Sequence, residues 1–151
     1  YKLLKSNAKY RKGMNVFNYG IGDSSLKNMY VRENRTGTGS LIEENADKGN
    51  KDNLKKISID LIEDISLKTG KTEYDLVKID VEGYEYELLD YLTNIKTKYL
   101  FIEITGVAKK KDFLTSELYN KITKTFGEFD VVYQSNLDRN STVAEVLLEF
   151  N

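Results

Sequence analysis

Cysteine and histidine are both absent from this chain of 151 residues. Without cysteine there is no disulfide, no thiolate nucleophile and no thiolate-held zinc or iron–sulfur centre. Without histidine the commonest general base and metal ligand is missing, and neither a serine–histidine–aspartate nor a cysteine–histidine relay can be assembled from these residues. Catalysis would fall to Asp, Glu, Lys, Tyr, Ser or Thr, and a bound metal would be a hard cation on oxygen ligands. A surplus of one charge is missing too. Lys and Arg total 23 against 24 for Asp and Glu, a net charge of -1, which argues against a nucleic-acid partner. No apolar run approaches the roughly 18 residues that a membrane span needs. No basic segment followed by an apolar one marks a signal peptide, so a cytoplasmic location without a membrane partner is expected.

What is present suffices for one domain. At 40% hydrophobic and 31% charged residues the chain can bury a core, and its length is that of a single unit. Residues 1–10 read as the end of a helix that stops before Gly13. Residues 14–21 alternate apolar with small or polar side chains and run into Gly20-Ile21-Gly22-Asp23-Ser24, the pattern of a strand and a turn. A second extended segment is expected at 25–32, and a long loop over the Gly-, Thr- and Asn-rich stretch 35–53, with 43–56 as a lid or plain surface. There follow a short strand at 55–59, a helix over 61–68 closed by Gly70, a strand over 74–81 and a helix over 85–92. A strand at 99–104, a helical stripe at 114, 118, 122 and 126, and strands at 129–134 and 143–150 complete the chain. Near-continuous apolar runs such as YLFIEI suggest strands buried on both faces. The alternation of strand and helix predicts an α/β layered domain: a mostly parallel sheet with flanking helices and an antiparallel C-terminal strand pair.

In open α/β sheets ligands gather beyond the carboxyl ends of strands, and three such ends are acidic here. Asp80 and Glu82 close the strand 74–81, Glu103 lies near the end of 99–104, and Asp23 follows the first strand. Side-chain alternation turns Asp80 and Glu82 to one side if the strand continues that far. Paired carboxylates of this kind accept a proton from a substrate hydroxyl or hold Mg²⁺. The plainer reading stays open: Glu82 begins the next turn and Asp80 pairs with Lys78. The functional reading needs both acids to project from a central buried strand into a crevice. Lys109-Lys110-Lys111 reads as a solvated turn in preference to a phosphate contact, and Tyr84, Tyr86 and Tyr91 as amphipathic packing in preference to a stacking surface for a sugar or adenine.

The stretch Asp75-Leu76-Val77-Lys78-Ile79-Asp80-Val81-Glu82-Gly83-Tyr84-Glu85, followed by Leu88-Leu89, resembles the hallmark of the FkbM-type methyltransferases. Other segments follow in that family's order. Ser58-Ile59-Asp60 is similar to its threonine-leucine-aspartate element and Ile102-Glu103-Ile104 to its later acidic strand. Tyr19-Gly20-Ile21-Gly22-Asp23 resembles the segment after its third strand, and Thr38-Gly39-Ser40-Leu41 its serine-rich loop. The resemblance covers roughly residues 1–105 and is most specific at 75–85.

This resemblance implies a class I, Rossmann-like fold that uses S-adenosylmethionine to methylate a hydroxyl on a sugar or small natural product. It makes Asp80 and Glu82 the catalytic carboxylates, acting directly or through a divalent metal, and sets Gly20, Ile21 and Asp23 against the cofactor. Asp60, Glu85 and Glu103 become supporting acids, and no residue is assigned as a dedicated metal ligand. The Gly-rich cofactor loop of such folds has no counterpart here, because Gly20-x-Gly22 and Gly37-x-Gly39 sit in turns. Residues 1–151 therefore read as one methyltransferase-like domain that is the C-terminal part of a longer one, or as a reduced relative. The strand 14–21 would then pair with 74–81, with 25–32, or with another copy through an exposed sheet edge, giving a homo-oligomer. The alternatives are a noncatalytic binding or scaffold module of the same fold, and a Mg²⁺-dependent hydrolase using the acidic residues.

Overall fold

Two runs bury every second residue: Leu100, Ile102 and Ile104 in one, Ala144, Val146 and Leu148 in the other. A side-chain period of two sends each set to one face, and the two runs form the centre of one sheet. The computed structural model describes residues 2–26, 28–32, 35–43, 54–105, 116–135 and 143–151. In chain order these form α1 (Lys2–Ala8), β1 (Gly20–Ile21), β2 (Asn28–Arg32), β3 (Arg35–Ser40), β4 (Leu54–Ser58) and β5 (Leu61–Ile62). Next come α2 (Ser66–Thr69), β6 (Glu73–Ile79), α3 (Glu85–Leu88) with the single 3-10 turn Leu89–Tyr91, and β7 (Lys96–Thr105). The chain closes with α4 (Glu117–Phe126), β8 (Phe129–Gln134) and β9 (Val143–Phe150).

The main sheet has the order β6-β7-β9-β8. β6 and β7 run parallel, while β9 is antiparallel to both β7 and β8. A parallel pair needs a crossover, which α3 and the 3-10 turn supply. They carry Leu88, Leu89 and Leu92 onto the same core as Ile79, Ile102 and Val146. Burying side chains of this size stabilises the fold by about 1.5–3 kcal/mol each. The stripe anticipated at 118, 122 and 126 forms α4, with Leu118 and Ile122 buried. Its first turn is capped by the Ser116 hydroxyl, which accepts from Tyr119 N–H at 3.1 Å.

A mostly parallel sheet was expected, and the structure corrects this. Among the described residues only β6–β7 and the two-residue pair β1–β5 are parallel, and a second sheet, β3-β2-β4, is wholly antiparallel. The strand expected at the centre, 74–81, is β6, and among the described residues it has a neighbour on one side only. Its burial shows this: Ile79 is buried, while Leu76, facing away from the core, is exposed. The near-continuous apolar run at 99–104 is the central one, because β7 lies between two neighbours.

Three local expectations also change. The stretch 14–21 is strand only at Gly20–Ile21, and it pairs with neither 74–81 nor 25–32 but in parallel with Leu61–Ile62. Gly20 N–H donates to Asp60 O and Gly22 N–H to Ile62 O, both at 2.9 Å. The helix expected over 61–68 shrinks to α2, because Leu61 is buried in that pairing. Gly70, at φ 68°, closes it as anticipated. The loop expected from residue 35 begins as β3, where Gly39 lies opposite Val31 of β2 under the Met29 side chain. Pairing decided these segments over local preference. Residues 44–53 and Lys109-Lys110-Lys111 lie outside the described residues. No helix among the described residues is long and apolar enough to cross a membrane.

Candidate active site

β6 ends at Ile79, and the chain reverses through Glu82 and Gly83 at φ 51° and 95°. Tyr84 N–H reaches back to Val81 O at 3.4 Å, closing a turn with two left-handed central residues, of the I′ type. Glycine adopts that conformation freely, but Glu82 has a Cβ that crowds the backbone there, at a cost of about 1–2 kcal/mol. Two buried side chains hold the turn. The Ser40 hydroxyl at the end of β3 donates to Glu82 O at 3.0 Å and accepts from Ile42 N–H at 3.1 Å. The Glu85 carboxylate, opening α3, accepts from Gly83 N–H at 2.8 Å. Ser40 is 2% exposed and Glu85 4%. Glu85 is therefore a clamp on the turn, consistent with its expected supporting place. The role of Ser40 was not legible, although the serine-rich loop of the resemblance pointed to that segment.

The parallel register Ile79↔Ile102 sets Glu103 of β7 beside Asp80. Carboxylate oxygens of Asp80, Glu82 and Glu103 all lie within 4.8 Å of one another. Burial, and then the charges of Asp80, Glu82 and Glu145, push Glu103 above the usual carboxylate value, while Lys78 opposes them. The Lys78 ammonium lies 2.9 Å from Asp80 Oδ2, a partly exposed pair, and the bond and charge of Asp80 hold that ammonium above its ordinary value. The ion pair of the plainer reading and the carboxylate cluster of the functional one thus occur together. An all-oxygen cluster of this kind suits a hard divalent cation or the sharing of a proton.

Beside the edge of β6 runs an open cleft of about 580 Å³. Asp80 and Lys78 line it together with Tyr19, Gly20 and Ile21, and Val16, Phe17, Ile65 and Leu88 make its wall largely apolar. Two of the three residues expected against a cofactor, Gly20 and Ile21, therefore meet Asp80 in one cavity. A Cβ at Gly20 would come 2.7 Å from Leu61 Cδ2, so the Leu61 side chain would have to shift to admit one.

The third, Asp23, is not part of that lining. Its Oδ1 accepts from Ser25 N–H at 2.8 Å, which makes it the pivot of a local turn. Tyr84 packs against the same turn: it is buried, and a Cβ on Gly22 would come 3.2 Å from its ring. Tyr86 is exposed, with the Lys121 ammonium 3.9 Å from its ring centroid. Packing accounts for both tyrosines. Tyr19 went unrecognised in the sequence, although it is the residue before Gly20. Its hydroxyl is buried and meets no hydrogen-bonding partner.

No curated protein and no solved structure matches the chain. A family model does, and its match runs beyond the segment in which the resemblance was read, through α4 and β8. Residues 4–134, which include the turn, the carboxylate cluster and the cleft, match the methyltransferase FkbM domain, and the chain belongs to that family.

Proposed function

We propose that this chain is an S-adenosylmethionine-dependent methyltransferase acting on a hydroxyl of a sugar or small natural product in the cytoplasm. The observation that carries the reading is the cleft in which Asp80 lies with Gly20 and Ile21. The strand's position does not support it: among the described residues β6 is an outer strand, and Glu82 is not part of the cleft lining, so the need for both acids at a crevice is met by Asp80 alone. The cleft fits a nucleoside cofactor in two respects. Its wall is largely apolar, and its few polar side chains, Asn15, Lys78 and Asp80, are set among those apolar groups.

When bound, S-adenosylmethionine supplies an electrophilic methyl carbon. Gly20, Ile21 and Tyr19 would hold it, and Asp80 would stand where the acceptor hydroxyl meets that end of the cleft. The Asp80 carboxylate would accept a hydrogen bond from the hydroxyl, orient its oxygen and take its proton. Lys78 fixes the rotamer of Asp80 through their 2.9 Å contact. Glu103, held above its usual value, lies within 4.8 Å of Asp80 and is an acid to which the proton could pass. The same three carboxylates would hold a divalent cation, which would polarise the hydroxyl instead.

The test separates binding from chemistry. Calorimetric titration with S-adenosylhomocysteine is expected to give saturable heat with both the wild type and Asp80→Asn. Methyl transfer to a panel of hydroxyl acceptors is expected to fall by about 10²–10⁴-fold in the variant, the usual contribution of a general base. A wild type without saturable heat overturns the reading in favour of a noncatalytic binding module. That module is the second reading, favoured by the outer position of β6.

A further inference from the structure

Five basic residues, Lys2, Lys5, Lys9, Arg11 and Lys12, precede the first acidic residue of the sequence, Asp23. The whole chain carries a net charge of -1, so this excess of positive charge is local to one segment. The fold gathers three of the five. Lys2 and Lys5 lie on α1, and Lys9 continues its spacing, with Lys9 N–H donating to Lys5 O at 3.2 Å. Steps of three and four residues set all three on one helical face, and they line an open cavity of about 710 Å³. No acidic side chain lines that cavity. Among the described residues Lys78, Lys98 and Lys121 each meet a carboxylate, whereas no ion pair engages Lys2 or Lys9. Met14, Asn15 and Val16 close the cavity, and the same three residues line the cleft that holds Asp80. The basic cavity and the cleft are therefore neighbours with a common wall.

We propose that the acceptor is a phosphorylated sugar, its phosphate held by Lys2, Lys5 and Lys9 while its hydroxyl reaches Asp80 along that wall. This rests on the reading of the cleft given under Proposed function and narrows its acceptor to an anionic one. An ammonium is a compact charge with three rotatable donors, so three of them surround a phosphate without demanding one orientation. The space agrees with the charge. A cavity of about 710 Å³ has the size of a small-molecule site and holds more than a bare phosphate, so the anion enters with the sugar that carries it.

The test is calorimetry on the whole chain, first with S-adenosylhomocysteine and then, with that ligand present, with hexose and pentose phosphates and their unphosphorylated parents. At least one sugar phosphate should bind at least about tenfold more tightly than its parent, and raising the salt should weaken it. The variant Lys2→Gln, Lys5→Gln, Lys9→Gln should lose about 5- to 50-fold of that affinity, the sum of three exposed ionic contacts. A control, Lys55→Gln, Lys68→Gln, Lys71→Gln, removes the same charge at exposed positions elsewhere and should change it less than about twofold. Circular dichroism checks that each variant is folded. Should the triple variant unfold, Lys9→Gln alone, which lies beyond α1, should still weaken the sugar phosphate about 2- to 5-fold.

Sugar phosphates that bind no better than their parents overturn the proposal and leave the cofactor reading intact. An equal loss in the control does so as well, because net charge would then explain the effect. Inorganic phosphate binding as tightly as the esters overturns the acceptor in favour of a free ion. Lysine-dependent sedimentation with phosphatidylserine vesicles, without sugar-phosphate binding, would give the patch to a lipid surface instead. A wild type that gives no heat with S-adenosylhomocysteine overturns the reading of the cleft, and this proposal with it.

Discussion

The hydroxyl of Ser40 lies 3.0 Å from the carbonyl oxygen of Glu82, a residue 42 positions later in the chain. The end of β3 thereby sets the shape of the turn that carries a candidate catalytic carboxylate. Ser40→Ala would leave that carbonyl and the Ile42 N–H without this partner in a buried setting. The expected loss is about 1–3 kcal/mol in urea unfolding, with methyl transfer reduced because the turn relaxes. Unchanged stability together with unchanged activity would show that the contact does not hold the turn.

Glu82 is the one described residue other than glycine with a positive φ, at 51°. Replacing it by glycine removes about 1–2 kcal/mol of left-handed crowding. The same change adds roughly 0.5–1 kcal/mol of backbone entropy to the unfolded chain. Glu82→Gly should therefore be as stable as the wild type or up to about 1.5 kcal/mol more so. Glu82→Gln keeps the crowding and removes the charge, so its stability should stay near that of the wild type. If the carboxylate serves the reaction, both variants lose activity while only the first gains stability. Activity surviving in both would remove Glu82 from the site.

Glu103 makes stability depend on pH in a defined direction. Its folded value is raised, by burial first and by the neighbouring acids second, above the ordinary 4.5. The native state then binds this proton more tightly than the unfolded state does. Its contribution to stability is fully present below the unfolded value and is lost as pH rises through the folded one. Glu103→Gln abolishes that dependence. Compared by melting temperature, the variant should gain on the wild type as pH rises from 4.5 toward neutrality, with the gap closing again in acid. A gap that does not vary with pH would mean that the cluster exerts no such pressure.

Much of the fold was legible because it is written in local periodicity. The apolar run of β7, the stripe of α4 at 118, 122 and 126 and the helix stop at Gly70 depend on side chains a few residues apart, and these three features lie where they were expected, although the helix before Gly70 is shorter. The hallmark around Asp80 was legible for a similar reason, since a strand, a turn and a helix start are encoded contiguously. Less visible was everything decided by a distant partner. β3 reads as a loop until β2 is beside it, and Leu61–Ile62 reads as helix until Gly20–Ile21 pairs with it. Asp23 reads as a cofactor residue from its place in the motif, whereas its position outside the cleft lining, with Oδ1 accepting from Ser25 N–H, is set by the fold.

By itself the sequence determined the kind of chemistry available: with no His and no Cys, only oxygen and amine groups remain, and the motif from Asp75 to Glu85 tied them to one family. Tertiary structure alone decided which of those groups meet. The register of β6 on β7 brought Glu103 to Asp80, and the reach of Ser40 across the fold bent Glu82 toward both. It also made β6 an outer strand among the described residues. The physical reason is range: propensity and periodicity act over a few residues, whereas register, edge position and charge proximity depend on which distant segments bury the most apolar surface together.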